Sequence, residues 1–453
     1  MEPRNIYFVG IGGIGMSALA RYFLSRGARV SGYDRSRTSL TDALSAEGAS
    51  IFFEDALSSV DPAAEWVVYT PAIPATSVVL TYYRDRGVAL MKRSDVLQRI
   101  TADTFNICIA GTHGKTTITT LTAHILRHSG YGCTAFLGGI SGNYNTNFWS
   151  SDNDVCVVEA DEYDRSFLKL DPSLAVITAM DPDHLDIYGT AAAMEEAFIA
   201  FAGRIKPGGW LLSKHGLPRG AELAASQHLT YSLADAAASV HAEGLRAEDG
   251  AYAFDIVVPG GRLEGFVLHM GGRHNVENTL AAAAVAHQLG IKSHAIRDAV
   301  AAFKGVRRRF EYVLRTPSVV LVDDYAHHPE ELRALLAGAK DLFPERTCTV
   351  IFQPHLYSRT RDLAAEFAAA LDLADEVILL PIYPARELPM EGVSSGMILE
   401  RMKNPHRRIM SKEALLAWAG APAGASPRLI IMAGAGDIDA LVEPVAEKLN
   451  VRA

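Results

Sequence analysis

Short apolar runs, each closed by a glycine-bearing turn and followed by a helical pattern, open three successive regions of the chain. That alternation predicts parallel α/β architecture. The first region begins at Ile6–Val9, turns at Gly10–Gly15 and continues as a helix from Met16 to Arg26. Met16, Leu19, Ala20 and Phe23 share one helical face, and Gly27 ends it. Ala28–Gly32, Ser50–Phe53 and Trp66–Thr70 are further strands. The second region begins at Asn106–Ala110, passes through GTHGKTT and enters a helix up to about Ser129. Its next strands, Val155–Glu159 and Leu174–Thr178, carry polar residues at their C-terminal ends. From about Arg204 to Met270 the alternation is irregular and glycine-rich, which suggests a peripheral antiparallel sheet. Asn275–Leu289 is an alanine-rich helix. The third region starts near Glu311, and its apolar runs Val319–Val322, Thr349–Phe352, Glu376–Leu380 and Leu429–Met432 predict another parallel, dinucleotide-fold-like sheet.

With 453 residues the chain is too long for one ordinary core. The three regions place domains at 1–103, 104–311 and 312–453. The predicted class is α/β: an N-terminal Rossmann-like domain, a central P-loop ATPase-like domain and a C-terminal Rossmann-like parallel sheet. A formal net charge of -9 argues against a nucleic-acid backbone as partner. The four cysteines, Cys108, Cys133, Cys156 and Cys348, form no C-x-x-C pair and fit a reducing compartment. The N-terminus lacks a signal-peptide pattern, and no run approaches the ~20 apolar residues that span a bilayer. A cytoplasmic protein, monomer or homodimer, without membrane insertion, is the expectation.

Gly10, Gly12 and Gly15 fit G-x-G-x-x-G between a strand and a helix, and Asp34 falls where a ribose-binding acid would sit. Such a turn lets the backbone approach a diphosphate under the positive end of the helix dipole. NAD meets that requirement, and so does any other diphosphate, a UDP-sugar included. The stretch Gly111–Thr117 lies in the same strand–turn–helix context. Its amides can wrap phosphates, Lys115 can neutralise them and Thr116 can coordinate Mg²⁺. Ile109 stands where the strict P-loop pattern has its first glycine. Glu159 closes a buried strand, with Asp161 and Glu162 beyond it; Asp183, His184 and Asp186 follow the next strand. Carboxylates at neighbouring strand ends face one crevice. A mixed Glu/His/phosphate shell would hold a cation there, the alternative being that His184 caps or packs a turn.

GIGGIGMSALA, GTHGKTT, EADEYDRSF, DHLDIYG, GRHNVEN, GVRRRFE, DDYAHHPEE and FQPHLYSRTRD occur in the order found in the Mur ligases, and the chain resembles that family from residue 6 to about residue 395. The resemblance implies an ATP-dependent amide-bond ligase of peptidoglycan precursor synthesis. Its cofactors would be ATP and Mg²⁺, and its substrates UDP-N-acetylmuramate and L-alanine, joined through an acyl phosphate. It further implies that the first domain holds the UDP-sugar, the second ATP and metal, and the third the amino acid. On this chain the UDP-sugar residues would be Gly10, Gly12, Gly13, Gly15, Met16, Ser17, Asp34, Thr70 and Arg93. For ATP they would be Gly111, Thr112, His113, Gly114, Lys115, Thr116, Thr117, Asn275, Asn278, Arg309, Tyr325 and either Asp323 or Asp324. Thr116, Glu159 and His184 match the metal ligands, and His355 and Arg359 would meet the amino acid. Lys115, His184, Arg309, His328 and His355 would act in catalysis, with His355 or His328 taking the amine proton.

Arg307 and Arg308 are expected to serve solvent or packing. His327 and His328, being adjacent, are expected to diverge. Two segments depart from the family pattern: EYDRS adds Arg165 near the site, and Tyr383–Glu387 reads YPARE. No lysine lies between His184 and Lys206 to be carbamylated, so Glu195 or Glu196 is the candidate for its negative charge. Three other readings compete. A ligase that recycles a murein tripeptide shares the chemistry. An NAD-dependent oxidoreductase uses only the N-terminal turn, and a non-catalytic nucleotide-binding protein leaves Lys115, Glu159, His184 and Arg309 without a task.

Overall fold

The computed structural model describes residues 3–248, 250–385, 387–421 and 427–450, apart from the side chains of Leu185 and Asp186. Two compact units emerge, one of Met1–Glu243, Asp255–Gly265 and Glu277–Phe303, the other of Gly244–Phe254, Phe266–Val276 and Lys304–Ala453. None of the described helices is long and apolar enough to cross a membrane.

The first unit carries an all-parallel sheet in the order Ser50–Phe52, Arg29–Tyr33, Asn5–Val9, Trp66–Tyr69, Ala89–Lys92. Tyr7, Phe8 and Val9 are fully buried, because helices cover both faces of a parallel sheet. Strand order reverses between Asn5–Val9 and Trp66–Tyr69. Crevices that bind ligands open at the carboxyl ends of strands at such a switch point. Gly10 and Thr70 follow those two strands, and the helix Ile14–Ser25 starts at the same rim.

A second sheet runs Gln227–Ser232, Trp210–Lys214, Leu174–Ile177, Phe105–Ala110, Val155–Glu159, Thr134–Phe136, Phe148–Trp149, parallel except for its last pair. The irregular stretch after Arg204 is therefore only partly the antiparallel sheet expected of it. Trp210–Lys214 and Gln227–Ser232 extend the parallel sheet, because each pairs at its own N-to-C direction. Val240–Glu248 also joins in parallel, and Ala251–Val258 and Gly261–Leu268 follow in sheet order. The two-residue link Pro259–Gly260 can only make an antiparallel turn. Phe105–Ala110 lies between the strands ending at Glu159 and Ile177, so the loop after Ala110 faces both polar ends.

In the second unit the order is Glu311–Arg315, Val319–Asp324, Arg428–Ala433, Thr347–Phe352, Glu376–Leu379, Arg407–Ile409. Only the Glu311–Arg315 edge is antiparallel. Asp324, Gln353 and Gly434 stand at adjacent carboxyl ends of this sheet.

The helix that follows the phosphate loop, Lys115–His128, is anchored by a buried histidine. His124 Nε2 contacts the Ala299 carbonyl oxygen at 2.9 Å, which requires Nε2–H, and Nδ1 then accepts from the Tyr144 hydroxyl at 3.0 Å. Burial pushes His124 down to about 4, below its ordinary 6.5. Because the unfolded chain takes up that proton first, the stability tied to neutral His124 is complete above its unfolded value and lost as pH falls towards 4. Replacing His124 with Gln should shrink the fall in unfolding midpoint between about pH 7 and about pH 5. Equal falls in the parent and the variant would contradict this assignment.

Candidate active site

Within the first unit a cavity of about 480 Å³ opens at the switch point of the first sheet. Gly13, Gly15, Met16, Thr70 and Arg93 form one wall; Phe136, Gly138, Glu159, Asp161 and Tyr163 contribute from the second sheet. The glycine turn is braced from behind. Gly12 N donates to Asp34 Oδ2 at 2.8 Å, and Asn147 Nδ2 donates to Ile14 O and Ser17 Oγ at 2.6 and 2.9 Å. Arg93 packs against Gly15 and donates to Asp161 Oδ2 at 3.1 Å.

Glu159 reaches this cavity only because position 138 has no side chain. A Cβ on Gly138 would lie 2.0 Å from Glu159 Oε2. The phosphate loop has a similar requirement. Gly111 adopts φ +128°, and a Cβ there would lie 2.0 Å from Thr178 Oγ1, whose hydroxyl donates to the His113 carbonyl. Asp181 N donates to Thr112 Oγ1 at 3.2 Å, and Asn278 packs against Gly114.

Lys115 turns back across its own loop. Nζ donates to Gly111 O and to Glu162 Oε1, both at 2.7 Å. Glu162 is 1% exposed, and burial pushes its carboxyl up while the Lys115 ammonium opposes that shift. Its other oxygen, Oε2, is buried without a hydrogen-bond partner. Glu162, Asp183 and His184 offer ligand atoms that all lie within 4.8 Å of one another. Two carboxylates and an imidazole suit a divalent cation of the Mg²⁺ or Mn²⁺ type, so the donor set fits one. The Tyr163 ring stands edge-on to His184, with centroids 5.3 Å apart.

In the second unit Asp324 accepts from Phe310 N and Ala326 N, both at 2.7 Å, and so holds the loop around it. Burial raises Asp323 to about 7 and Asp324 to about 6, with Arg308 and Arg309 respectively acting against the shift. Arg308 contacts Asp323 at 3.4 Å and lies over the Tyr325 ring, which is itself exposed. Rings of His327, His328 and His355 cluster: 5.3 Å separates the first two centroids, and 6.1 Å separates His327 from His355. Tyr383 stacks on His355 at 5.9 Å. His328 is the N-cap of the helix Pro329–Leu342, and its backbone N–H donates to Glu331 Oε2 at 3.0 Å. Burial lowers Arg359.

Three family models match along the chain: the Mur ligase family catalytic domain over residues 5–104, the Mur ligase middle domain over 109–286, and the Mur ligase glutamate ligase domain over 308–436. The chain is 47% identical to a UDP-N-acetylmuramate–L-alanine ligase of Porphyromonas gingivalis, over 99% of both chains. It is 49% identical to that of Parabacteroides distasonis, over 98% of this chain and 97% of the other. This chain belongs to the Mur ligase family. Its fold superposes on the crystal structure of the UDP-N-acetylmuramate–alanine ligase of Thermotoga maritima with TM-score 0.85, 28% identity and full coverage of both. A murein peptide ligase from Psychrobacter arcticus shares the fold, with TM-score 0.68 and 23% identity over 98% of each chain. The three-domain α/β class expected from the sequence is thus the observed one.

Of the residues expected at this Mur ligase's sugar-nucleotide site, Gly13, Gly15, Met16, Thr70 and Arg93 line the cavity. Gly10, Gly12, Ser17 and Asp34 shape the turn instead, Ser17 being fully buried against Asn147. Around the phosphate loop His184 meets Glu162 and Asp183, whereas Glu159 borders the cavity. Sequence reasoning noted Glu162 but gave it no role; its position directly after the Glu159 strand was the available signal. Gly138 and Asn147 carried no motif and were missed. Asn275 donates to Gly271 O at 2.7 Å.

One expectation here needs correction. The rings of His327 and His328 do not diverge, because the chain there is neither helix nor strand and turns into a cap. Glu196 is paired with Arg219 at 2.8 Å on the surface. Arg308 packs as expected, Arg165 lies over the Tyr188 ring, and Asp186 and Arg386 fall outside the described side chains.

Gly138→Ala isolates the reach of Glu159. Moving an acid by about 1 Å can cost about a hundredfold in rate, and kcat/KM should fall by that order while the fold persists. Unchanged kcat/KM in a folded variant would remove Glu159 from the site.

Proposed function

We propose that this Mur ligase joins L-alanine to UDP-N-acetylmuramate with cleavage of ATP, through an acyl phosphate, in the cytoplasmic assembly of peptidoglycan precursors. The observation that carries the reading is the adjacency, within one unit, of a diphosphate-sized glycine-turn cavity and a phosphate loop whose lysine meets Glu162 beside Asp183 and His184. The full-length likeness to alanine-adding ligases supports the choice of amino acid. Cys108, Cys133, Cys156 and Cys348 are buried free thiols, as a reducing compartment allows.

A carboxylate is too poor an electrophile to condense with an amine in water. In the proposed cycle Gly13, Gly15 and Arg93 hold the UDP-sugar so that its lactyl carboxylate attacks the ATP γ-phosphorus. The loop amides of Gly111–Thr117 cradle the phosphates. Lys115 and Arg309 spread the charge of the in-line transfer, which is positioning and electrostatics rather than covalent chemistry. Thr116, Glu162, Asp183 and His184, with Glu159 at the cavity side, would hold Mg²⁺; when bound it supplies neutralisation of phosphate charge.

Asn278 seats the loop at Gly114, and Tyr325 presents an exposed ring for adenine. Arg359 receives the amino-acid carboxylate, and His355 or His328 takes the amine proton. Alanine nitrogen then attacks the acyl carbon, the amide forms and phosphate leaves. A murein tripeptide is the second candidate amine.

Phosphate release from ATP with UDP-N-acetylmuramate, offering L-alanine, L-serine, glycine or the tripeptide in turn, tests the reading. Release with L-alanine is expected; release with tripeptide alone would transfer the assignment to recycling. Lys115→Ala should abolish product while UDP-N-acetylmuramate still binds. Near-normal turnover in that variant would sink the proposal.

A further inference from the structure

We propose that Tyr163 is a positioning residue at the border of the sugar-nucleotide cavity and the phosphate-loop centre, seating His184 and shielding the acyl phosphate from water. The inference rests on the ligase reading above. Tyr163 lines the cavity and touches His184 edge-on, the ring planes meeting at 79°. It directly follows Glu162, the partner of Lys115, so one peptide unit separates the ring's backbone from the lysine's anchor.

The backbone is arranged to present it. Tyr163 N donates to Asp161 Oδ1 at 3.1 Å, while Asp161 Oδ2 takes Arg93. Asp164 and Arg165, the next two residues, both adopt left-handed φ of 53° and 54°, and His184 itself lies at 49°. Non-glycine residues in that region are strained and persist where the surroundings over-determine them. Lys92 holds Asp164 at 2.9 Å. Lys92 and Arg93, neighbours on the far wall, thus clamp both flanks of the tyrosine.

A shield matters because the acyl phosphate has a competing fate. If water attacks the acyl carbon, the bond from that carbon to the phosphate oxygen breaks and phosphate leaves with the electron pair. The water protons pass to solvent and the carboxylate is regenerated. ATP is then spent with no amide formed. Excluding water is the usual protection of such intermediates. A flat ring set edge-on against His184 supplies it, so the hydroxyl is dispensable.

The test is stoichiometry. ADP and amide are quantified from the same reaction with UDP-N-acetylmuramate, ATP, Mg²⁺ and L-alanine. Parent enzyme and Tyr163→Phe should give one ADP per amide, whereas Tyr163→Ala should give about threefold or more ADP over amide. Tyr163→Leu, which keeps apolar bulk, covers the case in which the alanine variant does not fold; it should also uncouple, because it lacks the planar edge against His184. One-to-one coupling in the folded Ala or Leu variant would overturn the shield, and uncoupling in Phe would overturn the role of the ring alone. A parent enzyme that makes no amide would instead overturn the ligase reading.

Discussion

A lysine ammonium held 2.7 Å from a carboxylate that is 1% exposed is the contact around which the first unit's chemistry is arranged. Neither charge can be removed alone without leaving the other buried, at a cost of about 3–5 kcal/mol. Glu162 therefore positions Lys115 over its own loop, and Tyr188 in turn fixes Glu162 by donating its hydroxyl to the Glu162 carbonyl at 2.7 Å. The pair brings the strand end at Glu159 and the turn at Asp183–His184 into register with the phosphate loop. In the proposed reaction the same lysine faces developing phosphate charge.

Close backbone approach supplies the second constraint. Gly111 and Gly138 sit where any side chain would collide with Thr178 or Glu159, so the two strand ends can lie near enough to serve one centre. In both sheets the glycine turns lie at carboxyl ends near a change of strand order, where ligands gather in such sheets. The cavity follows from that placement for the first sheet, and the loop follows for the second.

Parallel architecture was legible because fully buried strands read as continuous apolar runs, and the glycine turns punctuated them. Lys115 and His184 stand in motifs next to such strands, whereas Arg93 came only with the family resemblance. Less legible were residues whose role depends on contacts distant in sequence. Asn147 braces a helix 130 positions earlier, and Gly138 matters only because Glu159 folds against it. The stretch after Arg204 misled because edge strands need no continuous apolar run, so parallel and antiparallel pairing look alike in their pattern. Adjacent histidines misled in another way. The expectation that their rings diverge assumes regular backbone, and His328 instead ends a loop at the N-cap position of a helix.

The central claim is that ATP activates the carboxylate by direct phosphoryl transfer. UDP-N-acetylmuramate carrying ¹⁸O in both lactyl carboxylate oxygens, turned over with ATP and L-alanine, tests it most directly. The account predicts that each phosphate released carries one ¹⁸O and that the amide carbonyl keeps the other. Phosphate without ¹⁸O, formed together with amide, would contradict it.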